Sequence, residues 1–365
     1  MYVFNGNNDT LSGNNDTILG DGGTLTLEGT GDVIAASMTT VKLGAGASVT
    51  VNGAQDAVYA GAGNAVTINA STDGFRPSRT IVYASNDTTG IVVNQGAQAD
   101  IYGTGDSITA QGAYHIAADG DTITLVGSGT GVTGSNDVLH AADKLSLSVY
   151  GSNNVVFGNN ESITSGRGSL TLNGSGDSVT TYGSTLTANG VSVTLNGPDN
   201  TIAGDSDVLT LGADTTNLTV QGAGETIVLS DPTITAASLK VSASASGKDL
   251  LLTDSATGNQ RIAFDGMLAV GNQGATQLKF ADGTVWTRAQ MLSMAHAAGT
   301  PSVTPPPVGT PGKHSTDVQV SQLIHAMAAF SARHSSADWS SPTSPTTADT
   351  AVLAQGHYAS HQHRL

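Results

Sequence analysis

The feature that most constrains this chain is a phrase that keeps returning, seen in full from Ser169 to Val179 as SLTLNGSGDSV. Its alternating run ends on Gly174. Counterparts end on Gly6, Gly29, Gly53, Gly103, Gly127, Gly151, Gly197 and Gly222, with Ala84 an imperfect fit to the one gap. Nine steps cover the 216 residues from Gly6 to Gly222, an interval of about 24. Apolar residues alternating with small polar ones are the pattern of a strand buried on one face. Between Gly174 and Gly197, Gly183 and Gly190 add two further breaks, dividing the interval into three short strands. A unit of that size cannot bury its apolar side chains alone, whereas stacked units bury them in one continuous column. The sequence therefore predicts an all-β chain, a parallel β-solenoid of about 24 residues per coil, with Leu170, Leu172, Val191, Val193 and Leu195 pointing inward.

The core of such a solenoid has to be built from small residues, because 46 glycines, 12% charged and 4% aromatic residues leave little else. Cysteine is absent, so neither disulfides nor thiol chemistry contributes. No apolar run is long enough to span a membrane, and MYVFNGNNDT lacks the basic and apolar regions of a cleaved signal peptide. The net charge of −16 is confined to the repeats: up to Ser230 there are five basic against 21 acidic side chains, and after it eight against eight. Such a surface repels phosphate backbones, which argues against nucleic acid as a partner and favours cations.

The pattern changes mark the domains. Residues 1–230 hold the repeats, and within them Ser71 to Asp87, with Phe75, Arg76, Pro77 and Arg79, breaks the interval as an inserted loop. After Asp231 and Pro232 a C-terminal β cap, residues 231–298, closes the open end of the solenoid, whose strand edges and core need a cover. There Asp282-Gly283 marks a hairpin, Thr287 caps a short helix carrying Met291, Leu292 and Met294, and Phe264, Phe280 and Trp286 supply apolar cover. Residues 299–314 form a proline-rich linker. In 315–365 an amphipathic helix, with Val320, Leu323, Ile324, Met327 and Phe330 on one face, precedes a polar, disordered tail.

The first coil, with Gly6, Asp9, Gly13 and Asp16, resembles the glycine- and aspartate-rich nonapeptide array of RTX, haemolysin-type calcium-binding proteins. Gly-x-x-Asp followed two places on by an apolar residue returns from Gly29 to Ile34, Gly53 to Val58, Gly103 to Ile108, Gly134 to Leu139, Gly174 to Val179 and Gly204 to Leu209. The doubled glycine of that array is nearly absent, and tandem pairs (Asp9 and Asp16, Asn154 and Glu161, Asn200 and Asp207) stand seven residues apart where the array has nine. Leu278 to Trp286 resembles the element that ends such arrays, and the tail resembles the uncleaved C-terminal signals of type I secretion substrates. The resemblance implies a secreted, extracellular bacterial protein recognised by type I secretion machinery. The repeat itself points to a non-enzymatic scaffold for surface attachment or matrix interaction, with cell-surface or matrix polysaccharide as a partner. The resemblance also implies calcium, which takes six to eight oxygen ligands; Asp9, Asp16, Asp205 and Asp207, where acids crowd the tightest turns, are the candidate metal ligands.

The same residues admit other roles. Aspartate and asparagine before a strand are good turn formers that accept local backbone hydrogen bonds without a metal. Parallel β-helices also include polysaccharide-acting enzymes, whose sites need a base or paired carboxylates in a groove. Here Lys42, Arg76, Arg79, Lys144, Arg167, His115 and His140 show no cluster at one ladder position and read as solvated surface. Counting back five and three places from the glycines gives Thr24 and Thr26, Ser48 and Thr50, Thr122 and Thr124, Ser146 and Ser148, Ser169 and Thr171, and Ser192 and Thr194. This hydroxyl array resembles the face of ice-binding solenoids, and it is equally what strand formers stacked across coils produce. His357, His361 and His363 belong to the polar tail.

Overall fold

A computed structural model describes residues 1–3, 7–20, 22–70, 79–84, 90–112, 115–269, 271 and 273–299. Gly6, most of the insertion (Phe75, Arg76 and Pro77 included), the proline-rich linker, the amphipathic helix and the tail histidines lie outside the described residues.

The repeats wind into a parallel β-solenoid, as the alternation predicts. Each coil, however, holds two strands where three were expected, and successive coils are spaced about 17 residues apart, not 24. Ile18 lies beside Ile34, Val51 beside Ile68, Leu139 beside Val156 and Leu186 beside Ile202. One strand of each coil joins a front sheet, where Leu147, Ile163, Val179, Leu195, Leu211 and Leu229 stack in register. The other joins a back sheet, where Ile108, Ile123, Leu139, Val156 and Leu172 do the same. These columns are the core, built mainly of leucine, isoleucine and valine and not of the small residues expected, and of the five residues expected to point inward only Val191 is less than fully buried.

The 24-residue interval is one and a half coils. Its glycines consequently alternate between sheets: Gly29, Gly103, Gly151 and Gly197 close front strands, and Gly53, Gly127, Gly174 and Gly222 close back strands. Both sheets need the same phrase, because each buries one face and turns a tight corner. A Cβ placed on Gly134 or Gly204 would lie 1.4 Å from the carbonyl oxygen of Ala118 or Ala188 in the preceding coil, so backbone packs on backbone at the corner.

Between Val58 and Val82, and between Ile68 and Val93, the spacing lengthens to 24 and 25 residues. Extra chain is therefore inserted where the sequence reading places it, but Arg79–Ala84 is a front strand and not part of a loop. The C-terminal module likewise differs from a separate lid. Gln260–Phe264 and Gly274–Phe280 extend the two parallel ladders, setting Phe264 beside Val220 and Phe280 beside Leu229. Pairing then turns antiparallel, with Leu250–Asp254 and Leu239–Ala243 at the back and Val285–Thr287 in front. The hairpin at Asp282 and Gly283 is present, with the Thr284 N–H donating to Asp282 Oδ1 at 2.8 Å. Thr287 and Gln290 form a reciprocal cap, 2.8 and 3.4 Å, at the start of helix α1 (Arg288–Gly299), which buries Met291 and Ala295. Trp286 meets Phe280 edge-on at 4.9 Å.

Candidate functional site

Beyond the first coil, the acids of the Gly-x-x-Asp phrase face the interior. Asp32, Asp56, Asp106, Asp137, Asp177 and Asp207 are at most 2% exposed. Each sits where the chain enters a strand, and in Asp32, Asp56, Asp137, Asp177 and Asp207 a carboxyl oxygen ties one coil to the next. Asp121 Oδ1 accepts the Asp106 N–H at 2.9 Å, Asp137 Oδ1 accepts that of Asp121 at 3.0 Å, and Asn154 Oδ1 accepts that of Asp137 at 3.0 Å. The same link joins Glu161 to Asp177, Ser184 to Asn200 and Val191 to Asp207. The glycine three residues earlier makes room for the second oxygen: a Cβ on Gly204 would stand 3.0 Å from Asp207 Oδ2. A buried backbone N–H at a corner needs an acceptor, and asparagine meets that need as well as aspartate. The seven-residue tandem pairs are half a coil apart, so their members serve opposite sheets.

Burying these carboxyls without cations penalises their charged form. Burial, with neighbouring carboxylates adding to it, pushes Asp121 up to about 7 and Asp137 up to about 6. Glu225 is pushed up to about 7 by burial and by Asp207 and Asp205. Burial and the adjacent Asp177 carboxyl raise Glu161, and burial raises Asp207.

The four candidate metal ligands are not brought together. Asp9 is exposed on the front strand Asn7–Ser12, while Asp16 is half-buried at a back-sheet corner and donates its N–H to Asp32 Oδ1. Asp205 and Asp207 lie many coils away; the first is exposed and accepts the Ala223 N–H at 2.7 Å, and the second is buried. As a set they do not fit one calcium coordination sphere. Among the described residues no group of three or more histidine, aspartate or glutamate side chains converges on a metal position.

A different cluster does converge, on the outward face of the front sheet. Arg79, Gln98 and His115 follow one another in register, and the pairing of Ile116 with Val132 and of Gly131 with Ser148 continues their column across two more coils. With Gly129 and Tyr150 they line a groove of about 380 Å³. Gly131 leaves a recess between His115 and Ser148. Beside the groove, on the same outward face and two residues along the strand from Gln98, Asp100, 8% exposed, holds Arg79 by an ion pair at 2.8 Å. His115 Nε2 lies 3.3 Å from Thr133 Oγ1. Burial first, then Arg79, push the His115 imidazole below its ordinary value, against a smaller opposite pull from Asp100. Arg79 and His115 thus do share a ladder position, contrary to the sequence reading.

Further along the same front strands, Tyr59, Tyr83 and Tyr102 stack in register with ring centroids 4.7 and 5.4 Å apart, and all three are exposed. The hydroxyl series, by contrast, is divided. Thr24, Thr26, Ser146, Ser148, Ser192 and Thr194 lie on front strands and the others on back strands, as the alternating interval requires. Gln98, Gly131 and Tyr150 went unnoticed in the sequence because a 24-residue frame scatters them, whereas steps of 16 to 19 residues align their column; the tyrosine row mixes a step of 24 residues, across the insertion, with one of 19. Compared with family models, curated proteins and solved structures, the chain matches none.

Proposed function

We propose that the chain is a secreted, non-catalytic scaffold whose solenoid carries one outward binding face for attachment to an extracellular surface or matrix. The observation that carries this is the front sheet between Ala57 and Tyr150. There Arg79, Gln98, His115 and three stacked tyrosines replace the small hydroxyl residues found outward on later strands. Large side chains gathered in adjacent coils of one sheet mark an interaction surface; a smaller exposed pair, His140 and Phe157, stacks on the back sheet. A polysaccharide-cleaving site is less well supported, since no carboxylate is among the described residues lining the groove and Asp100 beside it is held by Arg79. Secretion rests on the resemblance of the tail and on the acidic, cysteine-free composition. Calcium enters as a weakly held counter-ion to the acidic surface, raising stability without being required for folding.

Expressing the full chain beside a version ending at Lys313, in cells with a type I exporter, tests the proposal. The full chain is expected outside the cell and retained on the surface or its matrix, and the truncated rod inside and folded. Equal export of both would remove the tail as signal; free full-length protein in the medium would remove the attachment role.

A further inference from the structure

We propose that the front-sheet groove binds a neutral, extended β-(1→4)-linked glycan lying along the stack, one pyranose ring per coil. This deepens, and rests on, the reading of the chain as an attachment scaffold. The column Arg79, Gln98, His115, Gly131 and Ser148 runs from coil to coil, so its hydrogen-bonding groups repeat at the strand spacing of about 4.8 Å. That repeat is close to the rise of one ring in an extended β-(1→4) chain, whereas a coiled α-(1→4) chain loses step with it.

The groups are of the right kind. A planar guanidinium, an amide, an imidazole and a hydroxyl can each engage neighbouring sugar hydroxyls, and Tyr150 offers an aromatic ring at one end. Arg79 Nε and His115 Nδ1 have no partner among the described residues but are shut off from solvent, so contact with the sugar falls to the exposed part of the guanidinium, whose side chain is 42% exposed. The groove volume of about 380 Å³ is that of a small-ligand site. Its charge also selects. Asp100 neutralises Arg79, the lowered imidazole of His115 is uncharged at neutral pH, and the acidic rod around them repels polyanions.

Gly131 provides the test. It lies in the extended strand Thr130–Thr133, where threonine is a favoured residue, so Gly131→Thr fills the recess without disturbing the sheet. Titration of the full chain with cellohexaose is expected to show saturable binding. Gly131→Thr should weaken it at least tenfold with no drop in melting temperature, and His115→Ala should weaken it severalfold. Maltohexaose should bind at least tenfold more weakly than cellohexaose. No cellohexaose binding, unchanged binding by both variants, or equal binding of the two sugars overturns the proposal. Surface retention measured on the same preparations separates the two ideas. Protein that attaches but does not bind cellohexaose loses the groove assignment alone, and protein that does neither loses the attachment role as well.

Discussion

A carboxyl that is buried to hold a backbone N–H works as an acceptor whether or not it is charged, and its charge is a liability there. This is the logic of Asp121, Asp137 and Glu225. Their folded-state values of about 6 to 7 lie above the unfolded value of about 4, so the folded chain binds more protons between those limits. Stability is therefore full below pH about 4 as far as these groups are concerned, falls as pH rises toward about 7, and levels off above it. Asp231, Asp249, Asp254 and Asp282, lowered chiefly by hydrogen bonds, act oppositely and cost stability below the ordinary carboxylate range. A melting maximum near pH 5 is the expected outcome. Asp137→Asn keeps the acceptor for the Asp121 N–H, as Asn154 does one coil on, and should raise the melting temperature at pH 8 while flattening its pH dependence. Asp137→Ala orphans that N–H and should cost about 1–3 kcal/mol in denaturant melts. Gly204→Ala, forced against the Ala188 carbonyl at φ +146, should lower the melting temperature far more than Gly129→Ala, which has open space around it.

At the level of strands, the period-2 alternation made the burial of Leu170, Leu172, Val193 and Leu195 legible, along with the hairpin at Asp282 and the cap at Thr287. Each of these is a local decision about one face or one turn. The coil length was not legible, because front and back strands obey the same rules and carry the same phrase, so every second recurrence belongs to the other sheet. That error hid the groove, which exists only once Arg79, Gln98 and His115 are set side by side. It also made one face out of hydroxyls that belong to two. The aspartates were legible as acceptors of backbone hydrogen bonds but not as links between coils, because a Gly-x-x-Asp corner looks alike whether its carboxyl serves its own turn, a metal or the previous coil. In the cap, Phe264 is fully buried beside Val220, where the parallel ladder gives way to antiparallel pairing. Phe264→Ala should destabilise by about 3–5 kcal/mol and fray the end of the stack first, read by hydrogen exchange at Leu218–Gln221.

For the molecule as a whole, stability is a sum of rungs, each coil contacting mainly its two neighbours. Apolar columns inside, backbone ladders and buried carboxyl or amide links at the corners repeat along the stack, with no one site on which the fold depends. The excess of negative charge lies in this part of the sequence, and added salt should lessen its self-repulsion by screening. The central claim is that the coils are tied by inward carboxyls and amides, where a calcium-dependent roll would need metal bridges. Circular dichroism melting of the full chain in EDTA, at pH 5 and pH 8, then with millimolar calcium, tests it most directly. The account predicts a folded β-signal in EDTA at both values, a higher melting temperature at pH 5, and a modest rise on adding calcium at pH 8. A β-signal that is absent in EDTA and appears only when calcium is added would contradict it.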